Sequence, residues 1–159
     1  MPDLLAHALL AYSVATVLSW RFGWIDRSYV TVAMAGAFIP DLVKIWLVVP
    51  NQFMKDLLGI PFNWAALTTL GGSITGIAVG VVLVKPSERV RVASLLGVGA
   101  FTHLFSDSLL ITPSGHITGL FWPFTRYSPW TPGVYLSTEP WPTLLMGVLA
   151  GLVYLASEN

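Results

Sequence analysis

The chain is 159 residues long, 55% hydrophobic and only 10% charged, with a mean hydropathy of +0.72. A water-soluble domain typically carries about 25% charged residues, so a surface this poor in charge suits lipid better than water. The length holds one domain, a formal net charge of zero gives no reason for a nucleic-acid partner, and the lack of cysteine excludes disulfides and Cys-ligated metals.

A spanning helix needs about 20 mostly apolar residues. The first such stretch runs from about Leu4 to Trp20. Ahead of it stands Asp3 rather than a basic region, and no clear cleavage site follows, so it reads as a span rather than a removable signal. Arg21 to Arg27 is a charged turn. The second span is expected from about Tyr29 to Val49, and Pro50 to Pro61 is a polar connection with Lys55 and Asp56. The third span is expected from about Trp64 to Val84. The hydrophilic turn Lys85-Pro86-Ser87-Glu88-Arg89 separates it from the fourth, about Val92 to Ile111. A loop rich in Pro, Gly and aromatics runs from Pro113 to Pro140, and a short fifth span from about Trp141 to Leu155.

The expected fold is therefore all-α: a polytopic membrane bundle of about five transmembrane helices, or four if the last does not span. It forms one integral membrane domain over residues 1–159, with 113–140 as an outer loop within it. Lys and Arg concentrate in the first and third loops (Arg21, Arg27, Lys85, Arg89, Arg91), against Lys55 and Arg126 in the second and fourth. Basic loops stay in the cytoplasm. The expected placement is thus the inner membrane of a prokaryote, with the N-terminus outside and the C-terminus inside. Gly72, Gly76 and Gly80 share one helix face, as do Gly147 and Gly151. Small residues at this spacing let backbones approach closely in lipid, within the bundle or in a homo-oligomer or partner membrane subunit.

Ionisable groups inside a span are expensive and need a reason. Five fall there: His7, Asp41, Lys44, His103 and Asp107. His103 and Asp107 lie four apart on one helix face, and Asp3 and His7 repeat the spacing. In such a pair both groups bind a metal, or the carboxylate orients the imidazole. Asp41 and Lys44, one turn apart, can also form a structural ion pair. Under the expected orientation all five lie at similar depth, with Asn63, Thr68 and Thr69 at the same level. That agreement predicts one polar cavity opening outward. In the loop, Gly119 to Trp130 is dense in aromatics and contains Arg126. It reads as an interfacial belt or as a lid that turns Arg126 toward an anionic group. His116 beside Gly115 reads as a solvated loop histidine. No nucleophile elbow, phosphate loop, dinucleotide fingerprint or HExxH motif occurs.

Four short pieces carry a resemblance: Leu5-Ala6-His7, Gly36-Ala-Phe-Ile-Pro40-Asp41, Thr102-His103-Leu-Phe-Ser-Asp107 and Trp122-Pro123-Phe124. In this order they resemble the YdjM-like inner-membrane proteins, described as membrane-bound metal-dependent hydrolases, which in turn are similar to zinc-dependent phospholipases C in their His/Asp pattern. The resemblance implies metal ligation by His7, Asp41, His103 and Asp107. Where the family continues Pro-Asp with a further Asp and a His, this chain has Val43 and Lys44. Where the family has histidines before the third helix, the run from Phe62 to Thr69 has none. One divalent metal, zinc, is then expected in place of two. His7 and His103 would ligate it through neutral imidazole. One of Asp41 and Asp107 would ligate while the other serves as general base, and Arg126 or Lys44 would steady an anionic headgroup. The expected activity is hydrolysis of a lipid-like or phosphoester substrate, with membrane lipids as neighbours. The alternative is a non-catalytic membrane subunit or scaffold that kept the fold without the metal.

Overall fold

The computed structural model describes residues 4–158, so Asp3 lies outside the described residues. Among these the chain is helical. α1 spans Leu4–Arg21, α2 Arg27–Gly36, α3 Asn51–Leu58, α4 Leu70–Val82, α5 Arg89–Asp107 and α6 Trp141–Ser157. Tighter 3-10 turns occupy Pro40–Leu47, Trp64–Thr68 and Pro86–Glu88. No strand forms among the described residues; two isolated bridges pair Leu110 with Tyr135 and His116 with Trp130.

Helix starts follow the local chemistry. Asp26 caps α2, its carboxylate accepting from the Tyr29 N–H at 3.0 Å. Thr69 caps α4 through its hydroxyl, which accepts from the Gly72 N–H at 3.1 Å. The second and third expected spans are each broken. Pro40 has no N–H to continue the α2 ladder, and the path bends by 55° into the 3-10 turn Pro40–Leu47. At Thr69 the backbone is extended (φ −96°, ψ 165°), which divides Trp64–Thr68 from α4. The polar connection Pro50–Pro61 contains α3, which ends where Gly59 takes a left-handed φ of 66°.

Among the described residues, α1 is the one unbroken helix apolar and long enough to cross a membrane, a test that a signal sequence or the core helix of a soluble protein also passes. Arg27–Gly36 with Pro40–Leu47 makes a second span if the bent pair is one crossing; α4 and α6 are apolar but shorter.

α5 packs against α1, α2 and α4, and α6 packs on α1. Small residues line the seams: Ala6, Ala8, Ala11 and Ala15 on α1, Ala33 and Ala37 around the end of α2, Ala100 on α5, all buried. The closest approach is at Gly36 and Gly99. A Cβ on Gly99 would lie 2.6 Å from the Ala37 nitrogen, and one on Gly36 would lie 2.7 Å from the Leu96 Cα. The Gly72–Gly76–Gly80 face also turns inward, Gly76 against the Ile39 side chain and Gly80 against Leu96 Cδ1. Gly147 and Gly151 have open space beside them. The outward faces carry large apolar side chains, among them Val79 and Val82 on α4, Phe101 and Phe105 on α5, and Leu144, Val148 and Leu152 on α6.

Candidate metal centre

The Gly36–Gly99 contact sets the geometry of His103. It brings the end of α2 against α5, so the His103 Nδ1 lies 2.7 Å from the Ala37 carbonyl. A carbonyl only accepts, so Nδ1 carries the proton and donates. In the neutral imidazole, Nε2 then presents its lone pair. That atom faces Asp107 Oδ2 at 3.2 Å. A lone pair opposite a carboxylate oxygen is repulsive unless a metal ion or a proton lies between them.

His7 comes from α1 to the same point. Its ring stacks on that of His103, with centroids 3.8 Å apart and planes at 17°. Its Nε2 is 3.6 Å from Asp107 Oδ1, beyond hydrogen-bond reach. His7 is 1% exposed and His103 0%, yet His7 Nδ1, His7 Nε2, His103 Nε2 and Asp107 Oδ1 have no hydrogen-bond partner. Buried polar atoms are normally satisfied, so four unpartnered atoms at one point make this a candidate ligand site. The three residues each offer a donor atom within 4.8 Å of the other two. Two imidazoles and a carboxylate are donors that suit zinc and other divalent first-row metals, and three protein ligands leave a position for water.

The other sequence candidates are placed differently. Asp41 is buried, and its Oδ1 is 3.0 Å from the Lys44 ammonium, itself partly exposed. Both lie within electrostatic reach of the His7 imidazole, but Asp41 is not among the donors grouped within 4.8 Å. Arg126 is exposed in the loop, with no ion pair to either aspartate among the described residues. Asn63, Thr68 and Thr69 spend their side chains on neighbouring backbone: Asn63 accepts from the Ala65 N–H, and the two hydroxyls donate to the Ala65 and Ala66 carbonyls. His116 Nδ1 donates to the Ser114 carbonyl at 2.9 Å, within the loop.

Two contributors were not evident from the residues alone. The Ala37 carbonyl belongs to a backbone and leaves no mark in the side-chain pattern. Tyr135, from the Pro113–Pro140 loop, is buried beside the end of α5. Its hydroxyl donates to the Ser106 carbonyl at 2.7 Å and lies 2.9 Å from the Ser106 hydroxyl. Burial pushes the Tyr135 phenol up from its ordinary value, so it stays protonated and keeps donating. The Ile111 N–H donates to the Tyr135 carbonyl and the Val134 N–H to the Leu109 carbonyl. Further along, the Leu70 and Gly71 N–H groups donate to the Leu120 and Trp122 carbonyls. The loop thereby supplies acceptors that the first turn of α4 lacks within its own helix.

Comparison of the chain with protein-family models, with curated proteins and with solved structures gave no match.

Proposed function

We propose that this chain is a membrane-embedded, metal-dependent hydrolase, a divergent relative of the YdjM-like proteins, acting on a lipid-like or phosphoester substrate. The observation that carries the reading is the convergence of His7, His103 and Asp107, two of them fully enclosed, with donor atoms left unsatisfied. These three would hold one divalent ion, zinc by preference. A bound zinc acidifies its water and polarises an ester or phosphoryl oxygen.

The chain's own residues supply the rest. The Ala37 carbonyl fixes the His103 tautomer, so Nε2 is available as a ligand. With Asp107 as third ligand, Asp41 is the carboxylate left to accept a proton from water, while Lys44, held 3.0 Å from it, offers positive charge to an anionic headgroup. The membrane setting is supported by the apolar outward faces of α4, α5 and α6, since exposed apolar surface on this scale is unusual in water. We extend it to a polytopic bundle in an inner membrane, oriented by the Lys/Arg asymmetry with its N-terminus outside.

A non-catalytic subunit or scaffold is the second reading, and the Asp41–Lys44 pair favours it: this buried carboxylate is already paired with a cation of the protein's own. Elemental analysis of the protein purified without chelator separates the two. The hydrolase reading expects zinc near one equivalent, reduced at least tenfold in Asp107→Asn and in His103→Ala. A metal-free wild-type protein that also fails to take up added zinc would leave the scaffold.

A further inference from the structure

A second feature opens at the other end of the bundle from the histidines. A groove of about 610 Å³ lies between three helices, and its walls include Tyr12, Thr16 and Trp20 of α1, Arg27 and Met34 of α2, and Tyr154 of α6. Tyr12, Thr16 and Trp20 repeat every fourth residue, so one face of α1 looks into it. α1 and α6 run parallel. His7 near the start of α1 meets Asp107. Trp141 at the start of α6 stands edge-on to Tyr135, whose hydroxyl holds Ser106. The two helices therefore end together, at the loop from Arg21 to Arg27. The start of α5 joins them there, with Glu88 bonded by the Tyr29 hydroxyl and the Arg91 guanidinium over the Trp24 ring. The groove thus opens where Arg21, Arg27, Lys85, Arg89 and Arg91 outnumber Asp26, Glu88 and Glu158.

Its walls hold donors that lack acceptors. The Arg27 guanidinium makes no ion pair among the described residues. The carboxylates at this end are engaged elsewhere: Asp26 accepts from the Tyr29 N–H and Glu158 from the Tyr154 hydroxyl. Thr16 is 6% exposed, and its hydroxyl has no hydrogen-bond partner. Nearby helical hydroxyls donate to a carbonyl three or four residues back, as those of Ser13, Ser19 and Thr31 do; that of Thr16 does not. Ala15 shares a core cluster with Val30 and Ala33, so Arg27, one turn before Val30, stands about one turn nearer the mouth than Thr16, roughly 5 Å along the helix. The groove therefore calls for acceptors at two depths: an anionic one at Arg27 beside the loop and a neutral one farther in at Thr16.

We infer that this groove binds one anionic glycerophospholipid from the leaflet that meets the basic loops, with its phosphate at Arg27 and an ester carbonyl at Thr16. The inference rests on the membrane setting of the proposed function and is independent of its metal. A glycerophospholipid carries both acceptors that the groove lacks, a phosphate at the surface and ester carbonyls beneath it. Free phosphate meets the first alone. Ile25, Val30 and Met34, interleaved with these donors in the groove wall, suit the alkyl part. Basic pockets between spanning helices on the cytoplasmic side favour anionic headgroups, and a guanidinium matches phosphate in geometry as well as charge.

The test uses the full-length protein in neutral detergent, titrated with dioleoyl phosphatidylglycerol and, separately, with zwitterionic dioleoyl phosphatidylcholine. Bound lipid is counted by native mass spectrometry. One phosphatidylglycerol is expected to bind, more tightly than phosphatidylcholine. Arg27→Gln should lower that affinity about fivefold, the loss of one cation near a membrane surface. Arg21→Gln is the control, since its guanidinium lies over Phe22 and does not line the groove; it should leave the affinity unchanged. Thr16→Val keeps the shape and removes the unpartnered hydroxyl. It should weaken both lipids about fivefold, with a melting curve no lower than wild type. Equal affinity for the two lipids, or equal losses in Arg27→Gln and Arg21→Gln, would overturn the site in favour of general attraction to the basic end. Displacement of the lipid by inorganic phosphate would overturn the lipid as occupant. A protein that stays folded and dispersed once detergent is removed would overturn the membrane setting itself, a different result from a detergent-requiring protein that shows no lipid preference.

Discussion

Replacing Gly99 with alanine adds one methyl group and tests how the candidate centre is held. The new Cβ would overlap the Ala33 carbonyl oxygen and sit 2.6 Å from the Ala37 nitrogen. Ordinary carbon contacts begin at about 3.5 Å, so α2 and α5 must part by more than an ångström. The His103 Nδ1 bond to the Ala37 carbonyl, 2.7 Å long, crosses that same seam. An equal displacement takes it past the roughly 3.2 Å limit of a good N–H···O bond. Overpacking costs about 1–3 kcal/mol, and an unsatisfied buried donor about 1–3 kcal/mol more. Alanine's better helix propensity returns about 1 kcal/mol. A net loss of about 3 kcal/mol is expected, read from denaturant or thermal unfolding in detergent followed by tryptophan fluorescence. Zinc affinity, measured by chelator competition, should fall about 10- to 100-fold, the usual effect of releasing a ligand's outer hydrogen bond. Gly97→Ala is the control: two residues away, with no neighbour within 4 Å, it should be neutral or slightly stabilising. If Gly99→Ala unfolds like Gly97→Ala and binds zinc as wild type does, the close α2–α5 approach does not position His103 and the reasoning fails.

Other expectations follow from single contacts. Gly76→Leu drives a side chain into Ile39 and should lower the melting temperature; an unchanged curve would mean that this face looks outward. Lys44→Met leaves the buried Asp41 carboxylate without its cation and should cost about 3 kcal/mol, most of it recovered in the double variant with Asp41→Asn. Failure of that rescue would show that the two side chains do not act as a pair. Tyr135→Phe removes the bonds to Ser106 and should cost about 1–2 kcal/mol while speeding proteolysis within 113–140; equal proteolysis rates would argue that the loop is held elsewhere. For topology, single cysteines at positions 85 and 89 should resist an impermeant label in intact cells, whereas 116 and 126 should react. Strong labelling at 89 would reverse the orientation.

The helices themselves were legible because their signals are local. Apolar stretches, the breaks at Arg21–Arg27 and Lys85–Arg89, and the i,i+4 spacing of His103 and Asp107 all lie within a few residues. α1, α5 and α6 fall close to the expected bounds, whereas the second and third spans do not. Hydropathy counts apolar residues and is blind to backbone direction, so neither the bend before Pro40 nor the extended Thr69 interrupts its signal. The Asp41–Lys44 pairing was likewise open to a reading of spacing, being one turn long.

The sequence by itself determined which residue types could do chemistry and that His103 and Asp107 share one helix face. Only the tertiary structure decided which of them meet. His7 stands 100 positions from Asp107, and nothing in its own surroundings indicates which face of α1 packs on α5. The proton on His103 is assigned by the Ala37 carbonyl, 66 residues away in the chain, and that contact exists because Gly36 and Gly99 both lack a Cβ at one crossing point. Periodicity is written within a helix. The pairing of two helix faces is written in their mutual fit, and the energy of that fit depends on both chains of atoms at once.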